Sequence, residues 1–176
     1  MNKYSTVFDF EFDREKLSQW SELIRTTIPK NLYHQHDEVP GMFLDILMLK
    51  DLDEDVHVSL SEALAPINID RETHSVGIET VKPHKKVDLH KDYSMGWQNP
   101  FARKCNVMFN LTDTPLHIIH DDVSYNKTLE KNQVLILNVC TQHGADNTTQ
   151  TQSVELLSLN LRMDYNETVN YFKTLL

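Results

Sequence analysis

Every second residue of Phe8-Asp-Phe-Glu-Phe12 is aromatic, which predicts a strand with one buried face over residues 8–12. The period then lengthens. Leu17, Trp20, Leu23, Ile24 and Ile28 fall at helical spacing, so a helix is expected over residues 14–28, capped by Asp13 and ended by Pro29. Residues 31–38 are polar and histidine-containing, and predict a loop. The apolar run 42–49 fits a helix or a buried strand equally well. A short helical turn is expected over residues 59–65, stopped by Pro66.

Beyond residue 73 the texture changes. Segments 74–81, 86–90, 103–112, 116–120, 133–139 and 154–162 are short, β-branched or alternating, and separated by polar turns. Short strands at such intervals predict an all-β sandwich or barrel rather than alternating strands and helices. The end of the chain returns to helical spacing. Asp164-x-x-Glu167 forms a capping-box pattern ahead of Tyr165, Val169, Phe172 and Leu176. The expectation is a mainly β fold with flanking helices in one domain, with support from 1–73, a β core over 74–162 and a closing helix over 163–176.

Composition narrows the function. With 176 residues the chain is long enough to bury a core without staples. Its formal charge of −9 argues against nucleic acid or a membrane surface as partner, since both require a basic face. The start of the chain has no signal-peptide core and no run reaches transmembrane length, so a cytoplasmic location is expected. Cys105 and Cys140 each lie in an apolar run, which favours buried reduced thiols over a disulfide.

The candidate chemistry lies in Val81-Lys-Pro-His-Lys-Lys-Val-Asp-Leu-His-Lys-Asp92 and, far downstream, Gln142-His-Gly144. Residues i and i+2 of an extended segment point to the same face, so His90 and Asp92 can grip one ion together. His143, following the strand 133–139, would supply the third ligand from a strand folded back beside them. Two imidazoles and one carboxylate suit a non-haem Fe(II) site with open positions.

These pieces, with Arg103-Lys-Cys-Asn-Val-Met-Phe-Asn-Leu111, Val134-Leu-Ile-Leu-Asn-Val139, His143-x-x-x-Asn147 and Leu156-Leu-Ser-Leu-Asn-Leu161, resemble the double-stranded β-helix of the Fe(II)/2-oxoglutarate-dependent oxygenases. The resemblance covers nearly half the chain and points to small members near the aspartyl and prolyl hydroxylases. It implies His90, Asp92 and His143 as the metal and catalytic triad, Fe(II) as the metal and 2-oxoglutarate as co-substrate. The implied reaction is oxidative decarboxylation of 2-oxoglutarate to succinate and CO₂, coupled to hydroxylation of a small-molecule or peptide substrate.

One departure stands out. The family usually anchors the far carboxylate of 2-oxoglutarate with an arginine about ten residues past the distal histidine, where this chain has Gln150-Thr-Gln-Ser-Val154. Arg103, aided by Asn106, is the favoured substitute; Lys104 and Arg162 are others. Strand parity places Arg103, Cys105, Val107 and Phe109 on one face and Lys104, Asn106, Met108 and Asn110 on the other. The missing arginine sustains an alternative, a non-catalytic cupin-like module that binds a metal or ligand.

Other histidines rank lower. His117 and His120 should face opposite ways on a strand, His34 and His36 fall in the expected loop, and His84 could border the pocket. Tyr93 and Trp97 could line a substrate face or pack over the barrel mouth. There is no phosphate-cradling glycine loop or Cys-x-x-Cys pattern.

Overall fold

A computed structural model describes residues 4–33, 35–92, 105–161 and 163–176. The chain begins with β1 (Ser5–Asp9) and α1 (Arg14–Thr27), then β2 (Gln35–Val39), β3 (Met42–Met48) and α2 (Glu54–Ala63). The β region runs through β4 (Ser75–Val81), β5 (Lys86–His90), β6 (Cys105–Asn110), β7 (Leu116–His120), β8 (Lys127–Leu129), β9 (Gln133–Leu137), β10 (His143–Asp146) and β11 (Val154–Leu161). It closes on α3 (Tyr165–Leu175).

The strands form two antiparallel sheets. The larger has the order β1-β9-β6-β11-β4-β3-β2, and the smaller β5-β10-β7-β8. From β4 to β11 the chain crosses repeatedly between them, with only β7 and β8 consecutive in one sheet. That winding is the double-stranded β-helix, or jelly roll, expected from the sequence.

The parity of the strands divides the interior in two. Val76 and Ile78 of β4, Cys105, Val107 and Phe109 of β6, and Leu157, Leu159 and Leu161 of β11 pack with Leu17, Trp20 and Ile24 of α1, Leu60 of α2 and Phe172 of α3. The opposite face of the same sheet meets the smaller one, through Met108, Leu135, Leu137 and Leu156 against Val87, Leu116 and Ile118. The helices therefore support one face of the large sheet and leave the gap between the sheets for a site.

Several expected boundaries move. The first strand lies at residues 5–9, because pairing with β9 ends at Asp9 opposite Gln133. Phe10 and Phe12 turn into the helical core instead, at centroid distances of 5.6 Å from Phe172 and 5.2 Å from Phe109. The expected loop contains β2, which joins the sheet edge as a hairpin with β3. The ambiguous run 42–49 is mostly β3. Helix α2 begins well before the turn expected at residues 59–65.

The short strands β8 and β10 were not expected. Leu23 is 44% exposed, since each helical residue advances about 100° and this one falls off the buried stripe. The capping box is present: Asp164 accepts from the Glu167 backbone, and Glu167 accepts from the Asp164 backbone. Among the described residues, no helix is long and apolar enough to cross a membrane.

Candidate metal centre

His90 ends β5, His143 begins β10, and the two are register partners across the small sheet. Directly opposite residues on paired strands point to one face, so both imidazoles enter the gap between the sheets. The pairing shifts register between His143 and Ala145, and Gly144 occupies the shift. A Cβ on Gly144 would stand 2.4 Å from the Val87 carbonyl oxygen, so this close approach of the two backbones requires glycine. The turn before β10 is held by Asn138, whose side chain accepts from the Cys140 N–H while its carbonyl accepts from Thr141. Asp92 follows β5, and its backbone N–H bonds to the Val139 carbonyl beside that turn at 3.2 Å.

The three side chains converge. Asp92 Oδ1 lies 3.4 Å from His90 Nε2 and 3.7 Å from His143 Nε2. One donor atom from each residue lies within 4.8 Å of the others, spacing at which the three could hold a single ion. The other ring nitrogens determine the tautomers. His90 Nδ1 lies 2.8 Å from the Asp88 carbonyl, and His143 Nδ1 lies 2.9 Å from the Thr141 carbonyl. A carbonyl only accepts, so each Nδ1 carries a proton and Nε2 is the nitrogen available to an ion, at His90 once the proton it can donate to Asp92 has left. Backbone carbonyls commonly fix ligating imidazoles in this way, and the donor set fits a divalent metal.

The two imidazoles differ in environment. His90 is exposed, and its hydrogen bond with Asp92 raises its pKa, partly opposed by desolvation. His143 is buried, and desolvation pushes its pKa down despite the Asp92 charge. The pair sits against a small cavity of about 70 Å³ between the sheets, with mostly apolar walls formed by Val81, Val87, Met108, Leu116, Ile118 and Leu156.

The remaining candidates separate clearly. Asn106 faces the cavity from β6 and is 4% exposed, and among the described residues its Oδ1 has no hydrogen-bond partner. Arg103, Lys104, Arg162, Tyr93 and Trp97 lie outside the described residues. The cavity-facing positions of β11 hold Val154, Leu156, Ser158 and Asn160, so that part of the strand presents no cation.

His117 and His120 do face opposite ways. His117 bonds Thr128 Oγ1 on the outer side, whereas His120 enters the gap and bonds Ser5 Oγ at 3.0 Å. His120 is also the register partner of His143. The Gln142 carbonyl accepts its Nδ1 proton, and burial lowers its pKa. His84 is exposed on the β4–β5 turn near the Thr148 carbonyl and is not among the cavity-lining residues. His34 lies outside the described residues, and the backbone of His36 is in β2.

Cys105 and Cys140 are not joined in a disulfide. Cys105 is buried, and burial pushes its thiol up to about 12, while Cys140 is half-buried. Glu79 was missed at the sequence level. It lines the cavity at 6% exposure and accepts from Ser158 Oγ at 2.6 Å. The alternation Ser75, Gly77, Glu79 against Val76, Ile78 contained the signal, because it places polar residues on a face that meets another sheet.

No family model matches the chain, and no curated protein is detectably similar to it. Solved structures do match. A prolyl-4-hydroxylase from Pseudomonas putida is 8% identical, with 90% of this chain and 92% of that one covered at a TM-score of 0.54. Bacillus subtilis oxalate decarboxylase is 12% identical at a TM-score of 0.44, covering 72% of this chain but 27% of that one. AerE from Microcystis aeruginosa is 12% identical at 0.47, covering 74% of this chain and 46% of that one. This chain therefore spans about a quarter of the decarboxylase chain and under half of AerE. At these identities the likeness is one of fold.

Proposed function

We propose that the chain is an Fe(II)- and 2-oxoglutarate-dependent oxygenase that hydroxylates a small-molecule or peptide substrate. The observation that carries this reading is the convergence of His90 Nε2, His143 Nε2 and Asp92 Oδ1 beside a cavity, with both imidazole tautomers set by backbone carbonyls. His90, Asp92 and His143 would hold the iron. Fe(II) held there would supply the oxidative decarboxylation of 2-oxoglutarate that drives hydroxylation. The protein's own contribution is orientation: the Thr141 and Asp88 carbonyls fix the imidazoles, and the apolar walls shape the cavity beside them. Asn106, which lines the cavity, is proposed to assist co-substrate binding, with Arg103 and Arg162 as proposed carboxylate anchors.

The test is anaerobic addition of Fe(II) and 2-oxoglutarate, followed by air. A visible charge-transfer band and succinate formation are expected. Absence of both would refute the reading.

A cupin-like module that holds a metal or ligand without 2-oxoglutarate is the second reading. The cavity face of β11, which carries no cation over residues 154–160, and the carboxylate of Glu79 in the cavity favour it. In that case metal binds, and neither the band nor succinate appears.

A further inference from the structure

β1 is an edge strand of the large sheet, whereas His143 belongs to the small one. Two adjacent residues at the start of β1 nevertheless reach the segment that carries His143. The Tyr4 carbonyl accepts from the Asn138 backbone N–H at 2.9 Å, and the Asn138 carbonyl accepts from the Thr141 N–H at 3.1 Å. Thr141 is the residue whose own carbonyl holds His143 Nδ1. The second route crosses the gap between the sheets. Ser5 Oγ lies 3.0 Å from His120 Nε2, and His120 Nδ1 lies 3.2 Å from the Gln142 carbonyl, on the peptide that leads into His143. That carbonyl only accepts, so the neutral ring carries its proton on Nδ1 and Ser5 donates to Nε2. Ser5 and His120 are both buried, and the Tyr4 ring packs on the His120 ring at a centroid distance of 5.1 Å.

Thr6, one residue further on, faces the other way. Its hydroxyl meets the Tyr165 hydroxyl of α3 at 2.6 Å, so alternate residues of β1 hold a helix on one face and the His143 turn on the other. We infer that Ser5 and His120 are positioning residues for His143, and that the start of β1 clamps this ligand of the metal centre. Two consecutive carbonyls, Thr141 and Gln142, are each held by an imidazole. Both peptide planes preceding His143 are thereby fixed, and with them the direction of its Cα–Cβ bond. Removing such outer groups typically costs about ten- to a hundredfold in metal affinity. The coupling is reciprocal, so an ion that fixes His143 also steadies β1. The inference deepens the proposed function at the same site. It rests on that reading only for His143 as a ligand, and is independent of 2-oxoglutarate.

Mn(II) affinity and amide hydrogen exchange are measured for the parent protein and for Ser5→Ala, His120→Ala and Thr6→Ala. Thr6→Ala loosens β1 on its helix side only, and so controls for a general loss of stability. Ser5→Ala and His120→Ala should each bind Mn(II) about tenfold more weakly, still at one ion per chain, while Thr6→Ala matches the parent. Without metal, the amides of residues 140–145 should exchange several times faster in Ser5→Ala and His120→Ala than in Thr6→Ala. Circular dichroism shows which variants fold; should Ser5→Ala or His120→Ala fail, the other carries the comparison. An equal change in all three variants overturns the clamp. One ion bound at parent affinity in every variant leaves the metal centre standing and refutes the clamp. No ion bound to the parent, with exchange that still separates Ser5→Ala from Thr6→Ala, refutes the metal centre and leaves the clamp as the support of the His143 turn.

Discussion

His90 and His143 face each other across β5 and β10, and each gives its Nδ1 proton to the carbonyl two residues earlier in the chain. The two Nε2 atoms are thereby turned toward Asp92 Oδ1, which lies 3.4 and 3.7 Å from them. Metal-site residues usually need outer partners to hold them, and here the backbone performs that role.

Gly144→Ala tests how the pair is assembled. The added Cβ would meet the Val87 carbonyl, so β10 must move away from β5. The variant should lose about 1–3 kcal/mol of stability, as overpacked sites do. It should also bind metal more weakly, as measured by urea unfolding and by metal titration.

His120 is a neighbour of the candidate centre and lies outside the proposed ligand set. His120→Ala removes its bonds to Ser5 and Gln142 and leaves buried polar groups to be satisfied. A stability loss of about 1–3 kcal/mol is expected, with one metal still bound per chain.

Acid should destabilise the metal-free protein. Burial lowers the pKa of His143 and His120 below the ordinary 6.5, so their contribution is present above that value and is lost as pH falls through the folded-state pKa. His90 has the opposite sign. Its pKa is raised by Asp92, so its contribution is present below 6.5 and is lost as pH rises through the raised value. Two buried groups against one exposed group give lower stability at pH 5.5 than at pH 7, measurable by urea unfolding. His120→Asn should reduce that difference.

The fold and the site differed in how far they could be foreseen. His90, Asp92 and His143 were legible because i, i+2 geometry and a strand end are local properties, as was the capping box at Asp164. β10 was hidden because four residues containing Gly144 carry little strand signal, and its identity comes from pairing on both sides with β5 and β7. β2 was hidden for a similar reason: a polar edge strand resembles a loop until its partner is known. Glu79 was overlooked because an acidic residue in an apolar strand is ordinarily solvent-facing, and only the second sheet turns that face inward.

The thiols should behave differently. Cys105, buried and with its thiol near 12, should resist alkylation at pH 8 in the folded protein, while half-buried Cys140 reacts first. Mass spectrometry after brief iodoacetamide treatment locates the label. Labelling of Cys105 at the same rate would contradict its buried placement.

The most direct measurement is anaerobic Mn(II) binding followed by electron paramagnetic resonance. One ion per chain is expected in the parent protein, with binding lost or weakened at least a hundredfold in Asp92→Ala and His143→Ala and retained in His117→Ala and His120→Ala. Unchanged binding in Asp92→Ala and His143→Ala would contradict the assignment of His90, Asp92 and His143 as the metal centre.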